Sequence, residues 1–145
     1  MTDTSIRSGG RPPANSTTYT SIAGEDMPPG TPVAHSPDDA GTIIPASANS
    51  EGPSGATGIT SGPAIEGDSV QVQFGGILKL TTAQWDEITG DSGGLTRGIR
   101  YYLAVGGGLT SISPSGSEEF VVPIGIGTSA TELFVQLTQS TQNAP

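Results

Sequence analysis

Apolar residues in this chain recur at every second position over short stretches, which is the period of half-buried strands. Val70, Val72 and Phe74 alternate with Ser69, Gln71 and Gln73. Ile99, Tyr101, Leu103 and Val105 share one face, and so do Leu133, Val135 and Leu137. Tyr102 and Phe134 fall in the opposite, outward phase of their stretches. Between these runs stand clusters of turn formers: Ser36-Pro37-Asp38-Asp39-Ala40-Gly41 between Val33-Ala34 and Thr42-Ile43-Ile44, Gly75-Gly76 before Ile77-Leu78-Lys79-Leu80, and Gly106-Gly107-Gly108 before Leu109. Further strands are expected over Leu109–Ser113, Phe120–Gly127 and Glu132–Leu137. The pattern predicts an all-β domain, a small barrel or a sandwich.

One segment breaks the two-residue period. Thr81 with Gln84 three residues later forms the signature of a capping box. Leu80 before the cap and Trp85 within the first turns form a hydrophobic staple. Ile88 lies one turn beyond Trp85, and Gly90 supplies a left-handed stop. The spacing predicts a single short helix over about 81–89, with Trp85 plugging the end of the barrel or sandwich.

An internal repeat is visible in the glycines. Pro29-Gly30-Thr31-Pro32-Val33, Gly41-Thr42-Ile43, Thr57-Gly58-Ile59-Thr60 and Val70-Gln71-Val72 follow one another in the first half. Arg97-Gly98-Ile99-Arg100-Tyr101, Gly108-Leu109-Thr110, Ile124-Gly125-Ile126-Gly127 and Phe134-Val135-Gln136-Leu137 follow in the second, the first interval one residue shorter, the second equal and the last different. The expected architecture is two copies of a few-stranded meander, packed on each other or closed as a barrel.

Composition adds boundaries. The first 65 residues hold nine of the 12 Pro but a single aromatic, Tyr19; the remaining six aromatics follow it. Residues 1–18 are Thr, Ser, Gly, Pro and Asn with almost nothing to bury, and are expected to form an extended arm carrying Arg7 and Arg11. The β domain is then 19–137, and the polar segment 138–145 is expected to be a flexible tail. Hydrophobic residues are 32% of the 145, so the core is small for the length. Subunit association would supply further burial.

The net charge is −9 with five basic residues, which speaks against a nucleic-acid partner and against an anionic membrane surface. No apolar run approaches a membrane span, and the N-terminus lacks a basic-then-apolar leader pattern. There is no Cys, so disulfides and thiolate metal sites are excluded.

Candidate chemistry is sparse. Gly90-Asp91-Ser92-Gly93-Gly94 reproduces the nucleophile string of trypsin-like proteases, and His35 is the one His. The string follows a helix stop and enters a Gly-Gly turn, which casts Asp91 and Ser92 as turn residues. The acidic pairs Glu25-Asp26, Asp38-Asp39, Asp86-Glu87 and Glu118-Glu119 are sequence neighbours, whose side chains diverge along a strand. No catalytic, cofactor or metal residue is assigned, and the chain is not expected to be an enzyme.

Six segments between Ala23 and Leu137 stand out together. The first half has Ala23-Gly24-Glu25-Asp26-Met27-Pro28-Pro29-Gly30-Thr31-Pro32-Val33, Gly41-Thr42-Ile43-Ile44-Pro45-Ala46 and Gly67-Asp68-Ser69-Val70-Gln71-Val72. The second has Leu80-Thr81-Thr82-Ala83-Gln84-Trp85-Asp86, Gly93-Gly94-Leu95-Thr96-Arg97-Gly98-Ile99-Arg100-Tyr101-Tyr102-Leu103 and Val122-Pro123-Ile124-Gly125-Ile126-Gly127. Through these segments the stretch Ala23–Leu137 resembles head decoration (capsid cement) proteins of tailed bacteriophages. The resemblance implies β-barrel or β-sandwich trimers seated on the capsid surface, with the major capsid protein as partner. It also implies a location on the virion after synthesis in the host cytoplasm. Arg7 and Arg11 in the arm are candidates for pairing with acidic capsid groups, and Tyr102 and Phe134 for a subunit contact. The alternative expectation is a receptor- or glycan-binding knob of a head fibre or tail.

Overall fold

A computed structural model describes residues 17–49 and 53–144. Strands β1 (Thr18–Ala23), β2 (Pro32–His35), β3 (Thr42–Pro45), β4 (Ala56–Thr60) and β5 (Ser69–Gln73) close into a barrel in the order β1-β3-β2-β4-β5. β1 completes the circle by running antiparallel to β5 and, at Ile22 and Ala23, parallel to β3. A barrel of five strands encloses a narrow interior, because diameter grows with strand number. Ala23, Val33, Ile43, Val70 and Val72 fill the interior, with Met27 and Ala64 from the connecting loops.

The second half comprises β6 (Gly75–Lys79), α1 (Thr82–Thr89), β7 (Arg100–Leu103), β8 (Leu109–Thr110), β9 (Phe120–Val121), β10 (Pro123–Gly127), β11 (Glu132–Gln136) and β12 (Thr141–Gln142). Five of these strands form an open sheet in the order β6-β11-β10-β7-β8, and β12 pairs with β9 as a separate ribbon. The fold is thus all-β with one short helix, a closed barrel joined to an open sheet.

The two halves repeat one pairing scheme. β3-β2-β4-β5 corresponds to β8-β7-β10-β11, antiparallel throughout. Each copy carries a register shift at the same place, between Val33 and Ala34 against β4 and between Pro123 and Gly125 against β7. The turns before β2 and β7 match as well. Gly30 N–H donates to Thr60 O at 2.8 Å, and Gly98 N–H to Gly127 O at 2.7 Å. Both glycines have left-handed φ, +86° and +83°, which suits a residue without Cβ.

Pairing also corrects the alignment of the final segment. Ile59 faces Gln73, and Ile126 faces Phe134. Gln73 therefore corresponds to Phe134, and Val72 to Leu133 rather than to Gln136 or Leu137. One strand further on, Gln73 faces Thr18 and Phe134 faces Ile77. So β1 and β6 are themselves counterparts, a fifth repeated strand.

The copies diverge where the barrel closes. Ile22 and Ala23 on β1 join β3; their counterparts are Thr81 and Thr82, where the chain turns into α1. Thr81 Oγ1 accepts from Gln84 N–H at 3.1 Å, and Gln84 Oε1 accepts from Thr81 N–H at 2.9 Å. Gly90 ends the helix with φ +78°. The capping box thus stops the sheet from closing, and α1 fills the gap. Its C-terminal end lies against β8, where a Cβ on Gly108 would sit 2.5 Å from Ile88 O.

The larger core forms between the halves. Leu78, Tyr101, Leu103, Ile124, Leu133 and Val135 line the inner face of the open sheet, and Trp85 from α1 and Ala34, Ala46, Ala48 and Ile59 from the outside of the barrel pack into it. β2 is consequently buried on both faces, Val33 inward and Ala34 outward. Trp85 is fully buried, and its Nε1–H donates to Thr131 O at 2.9 Å. It seals the sheet end against Gly30 of the barrel half, the plugging role expected of it.

Several local expectations change. β1 begins at Thr18, inside the segment read as an arm. The expected strand over 109–113 is only Leu109–Thr110, and Phe120–Gly127 divides into two strands at Val122. Ile99 and Val105 lie beyond the ends of β7 and are exposed, unlike Tyr101 and Leu103. The C-terminal tail is tied down. Thr141 and Gln142 pair with β9, and Asn143 Nδ2 donates to Pro114 O and Gly116 O at 3.0 and 3.1 Å.

Candidate partner-binding site

Directly opposed residues of neighbouring strands point to the same side of a sheet. On the open sheet this places Ile77, Phe134, Ile126 and Arg100 in one row across four strands, on the face turned away from the barrel. Ile77 is 50% exposed and Phe134 38%. Their sequence neighbours Leu78, Leu133 and Val135 point the other way and are buried. Tyr102, two residues along β7 from Arg100, is half-buried on the same face, opposite Pro123 and Thr110. The structure thus places Tyr102 and Phe134 on one surface, separated by β10.

The matching row on the barrel is Thr18, Gln73, Ile59 and Pro32. It has the opposite fate. Ile59 and Pro32 are buried, Gln73 is 8% exposed, and Ile59 belongs to the core shared with the open sheet. One face of a repeated unit is covered in the first copy and uncovered in the second.

Charge is distributed as unevenly as burial. Among the described residues, the Lys and Arg side chains are Lys79, Arg97 and Arg100, all in the second half. Lys79 and Arg100 lie on the apolar face and are exposed, with Glu132 opposite Lys79. The described part of the barrel carries Glu25, Asp26, Asp38, Asp39, Glu66 and Asp68 and no Lys or Arg.

Sequence reasoning found Phe134 and Tyr102 through their outward phase but missed Ile77, Ile126, Lys79 and Arg100. Ile77-Leu78-Lys79-Leu80 reads as one apolar run until pairing with β11 assigns its faces. Arg7 and Arg11 lie outside the described residues.

Other candidates take structural positions. His35 stacks on Tyr19, ring centroids 6.2 Å apart, and Tyr19 also meets Phe74 at 6.2 Å. In the protease-like string, Gly93 and Gly94 N–H donate to the Asp86 carboxylate at 3.1 and 2.8 Å, and Asp91 N–H to Thr89 Oγ1 at 3.1 Å. The turn is organised by Asp86, one helical turn before the stop, rather than by Asp91 or Ser92. Ser36 Oγ accepts from Asp38 and Asp39 N–H, both at 3.2 Å, which fixes the acidic turn between β2 and β3.

A cleft of about 320 Å³ opens between barrel and helix, holding Glu25, Asp26 and Glu87 beside the backbone of Gly106–Gly108. Among the described residues, no group of three or more His, Cys, Asp or Glu side chains is placed to hold a metal ion. No helix is long and apolar enough to cross a membrane among those residues. No protein-family model and no curated protein matches the chain.

Proposed function

We propose that the protein is a structural component of a tailed-phage particle. It binds the outer capsid surface as a homotrimer and stabilises the head by bridging capsomers of the major capsid protein. The observation that carries this reading is the uncovered row Ile77-Phe134-Ile126 on a repeat whose equivalent row in the first copy has Ile59 and Gln73 buried and Thr18 half-buried. An exposed apolar strip flanked by charge is the mark of an interaction surface. The sequence resemblance to capsid decoration proteins supplies the setting. The two faces of work divide naturally: the sheet face, with Tyr102 and Phe134, makes a subunit contact, and the segment carrying Arg7 and Arg11 reaches acidic groups on the shell. Many weak contacts repeated over a shell add avidity without any one being strong.

Cosedimentation with purified shells lacking this protein tests the reading. Saturable binding that weakens in Arg7→Ala/Arg11→Ala is expected. Shells that sediment without the protein at any ratio refute the decoration role.

A second reading, a glycan-binding knob, has one observation in its favour. Tyr19, His35 and Phe74 group together on the barrel, with Phe74 40% exposed, and aromatic faces suit sugar rings. Adsorption to host cells by the isolated protein, lost in Phe74→Ala, would favour it.

A further inference from the structure

We infer that the uncovered face of the open sheet docks the acidic flank of the barrel of a second copy of this chain, in a head-to-tail contact. The inference deepens the assembly part of the proposed function and says nothing about shell binding.

The first observation is the broken equivalence between the repeats. In the first copy Ile59 packs into the core shared with the open sheet, and Gln73 beside it is buried, its amide donating to Gly75 O at 2.8 Å. In the second copy the row through Ile126 and Phe134 has become more apolar at two positions. Phe134 stands where the barrel has Gln73, and Ile77 where it has Thr18. The uncovered face thus gained large hydrophobic side chains at positions where the covered face is polar. Solvent exposure alone gives the opposite trend.

The second observation identifies the occupant. The face carries Lys79 and Arg100 at its margins, two cations against the single carboxylate of Glu132 opposite Lys79. The complementary surface, acidic with apolar groups between, exists on the barrel along β1. Ile22 is 42% exposed there. On one side of it lies the turn bearing Asp38 and Asp39, tied to β1 by Ile22 N–H donating to Gly41 O at 3.3 Å. On the other lies the loop with Ile65, 62% exposed, and Glu66 and Asp68, tied by Ala23 N–H donating to Asp68 O at 2.9 Å. Apolar groups can meet apolar groups there while Lys79 and Arg100 meet carboxylates.

One chain cannot satisfy both surfaces by itself. The inner face of the sheet is packed on the barrel, so its outer face points away from it. The two patches are different surfaces, which makes the contact heterologous; such contacts close into a ring or continue as a filament. A ring leaves no unpaired face, and a trimer is one closed form.

The test is made on the isolated full-length protein by sedimentation equilibrium at low salt, where exposed charges are least screened. Three variants are compared with wild type: Lys79→Glu/Arg100→Glu, Glu66→Lys/Asp68→Lys, and the combination of all four. The substituted residues are exposed, and circular dichroism checks that each variant folds. Wild type is expected to associate. Each pair alone is expected to weaken association at least about tenfold through like-charge apposition, and the four together are expected to restore it. Wild type that stays monomeric overturns the inference, as does association indifferent to both pairs or a combination that does not recover. Shell binding is scored separately, so either reading can fail without the other.

Discussion

Gly30 and Gly98 occupy the same turn of the two repeats and differ in what surrounds them, so the pair separates backbone strain from packing. Both have φ near +85° and both donate to a strand carbonyl at nearly the same distance. Replacing either with Ala forces a side chain into the left-handed region, at about 1–2 kcal/mol. The smaller unfolded-state entropy of Ala offsets about 0.4–1 kcal/mol of this. At Gly98 nothing lies within 4 Å of the added methyl, so Gly98→Ala should cost only about 1 kcal/mol. At Gly30 the methyl would lie 3.0 Å from Leu80 Cδ1, 3.2 Å from Trp85 Cζ3 and 3.3 Å from Ile88 Cγ1. Trp85 cannot yield freely, because it is fully buried and its Nε1 is bonded to Thr131 O. Overpacking adds about 1–3 kcal/mol, bringing Gly30→Ala to about 2–4 kcal/mol in all. Urea unfolding followed by the fluorescence of Trp85 measures both, with unchanged m values expected. Equal losses at the two positions, or a larger loss at Gly98, would refute the claim that Trp85 seals against the barrel half at Gly30.

Two further stability changes follow from single side chains. Thr60 is buried in the barrel; its Oγ1 accepts from Thr31 N–H at 3.0 Å and donates to Pro28 O at 3.0 Å. Thr60→Val keeps the shape but orphans a buried N–H, so it should cost about 1–3 kcal/mol by chemical denaturation; a neutral result would mean that water reaches Thr31. Thr81→Ala removes the helix cap and should cost about 1 kcal/mol, read as a lower urea midpoint, and Thr81→Ser should recover most of it. A loss at Thr81 well above 2 kcal/mol would show that the cap does more than start the helix.

The helix was legible in sequence because its signals are local. Thr81, Gln84, Trp85, Ile88 and Gly90 are within one short segment, and each took its expected position. The repeat was legible in its turns for the same reason, since a left-handed turn leaves glycine at Gly30 and Gly98. What escaped were features written in pairing. β1 and β6 share no residue pattern, Thr18-Tyr19-Thr20-Ser21 against Ile77-Leu78-Lys79-Leu80, and only their registers on β5 and β11 reveal them as counterparts. Closure of the barrel depends on a parallel contact of two residue pairs, Ile22 with Thr42 and Ala23 with Ile43, which no periodicity encodes. The tail looked frayed because Thr, Gln and Asn are polar; Asn143 instead uses its amide to satisfy turn carbonyls at Pro114 and Gly116. The binding face was half legible. Outward phase gave Phe134 and Tyr102, but their apolar and basic neighbours come from other strands.

The most direct test of the structural role is the abundance of this chain in purified particles, measured by quantitative mass analysis of separated heads and tails. A decoration protein should be found on heads in numbers comparable to the capsomers it bridges. A few copies confined to tails, or none in either fraction, would contradict it.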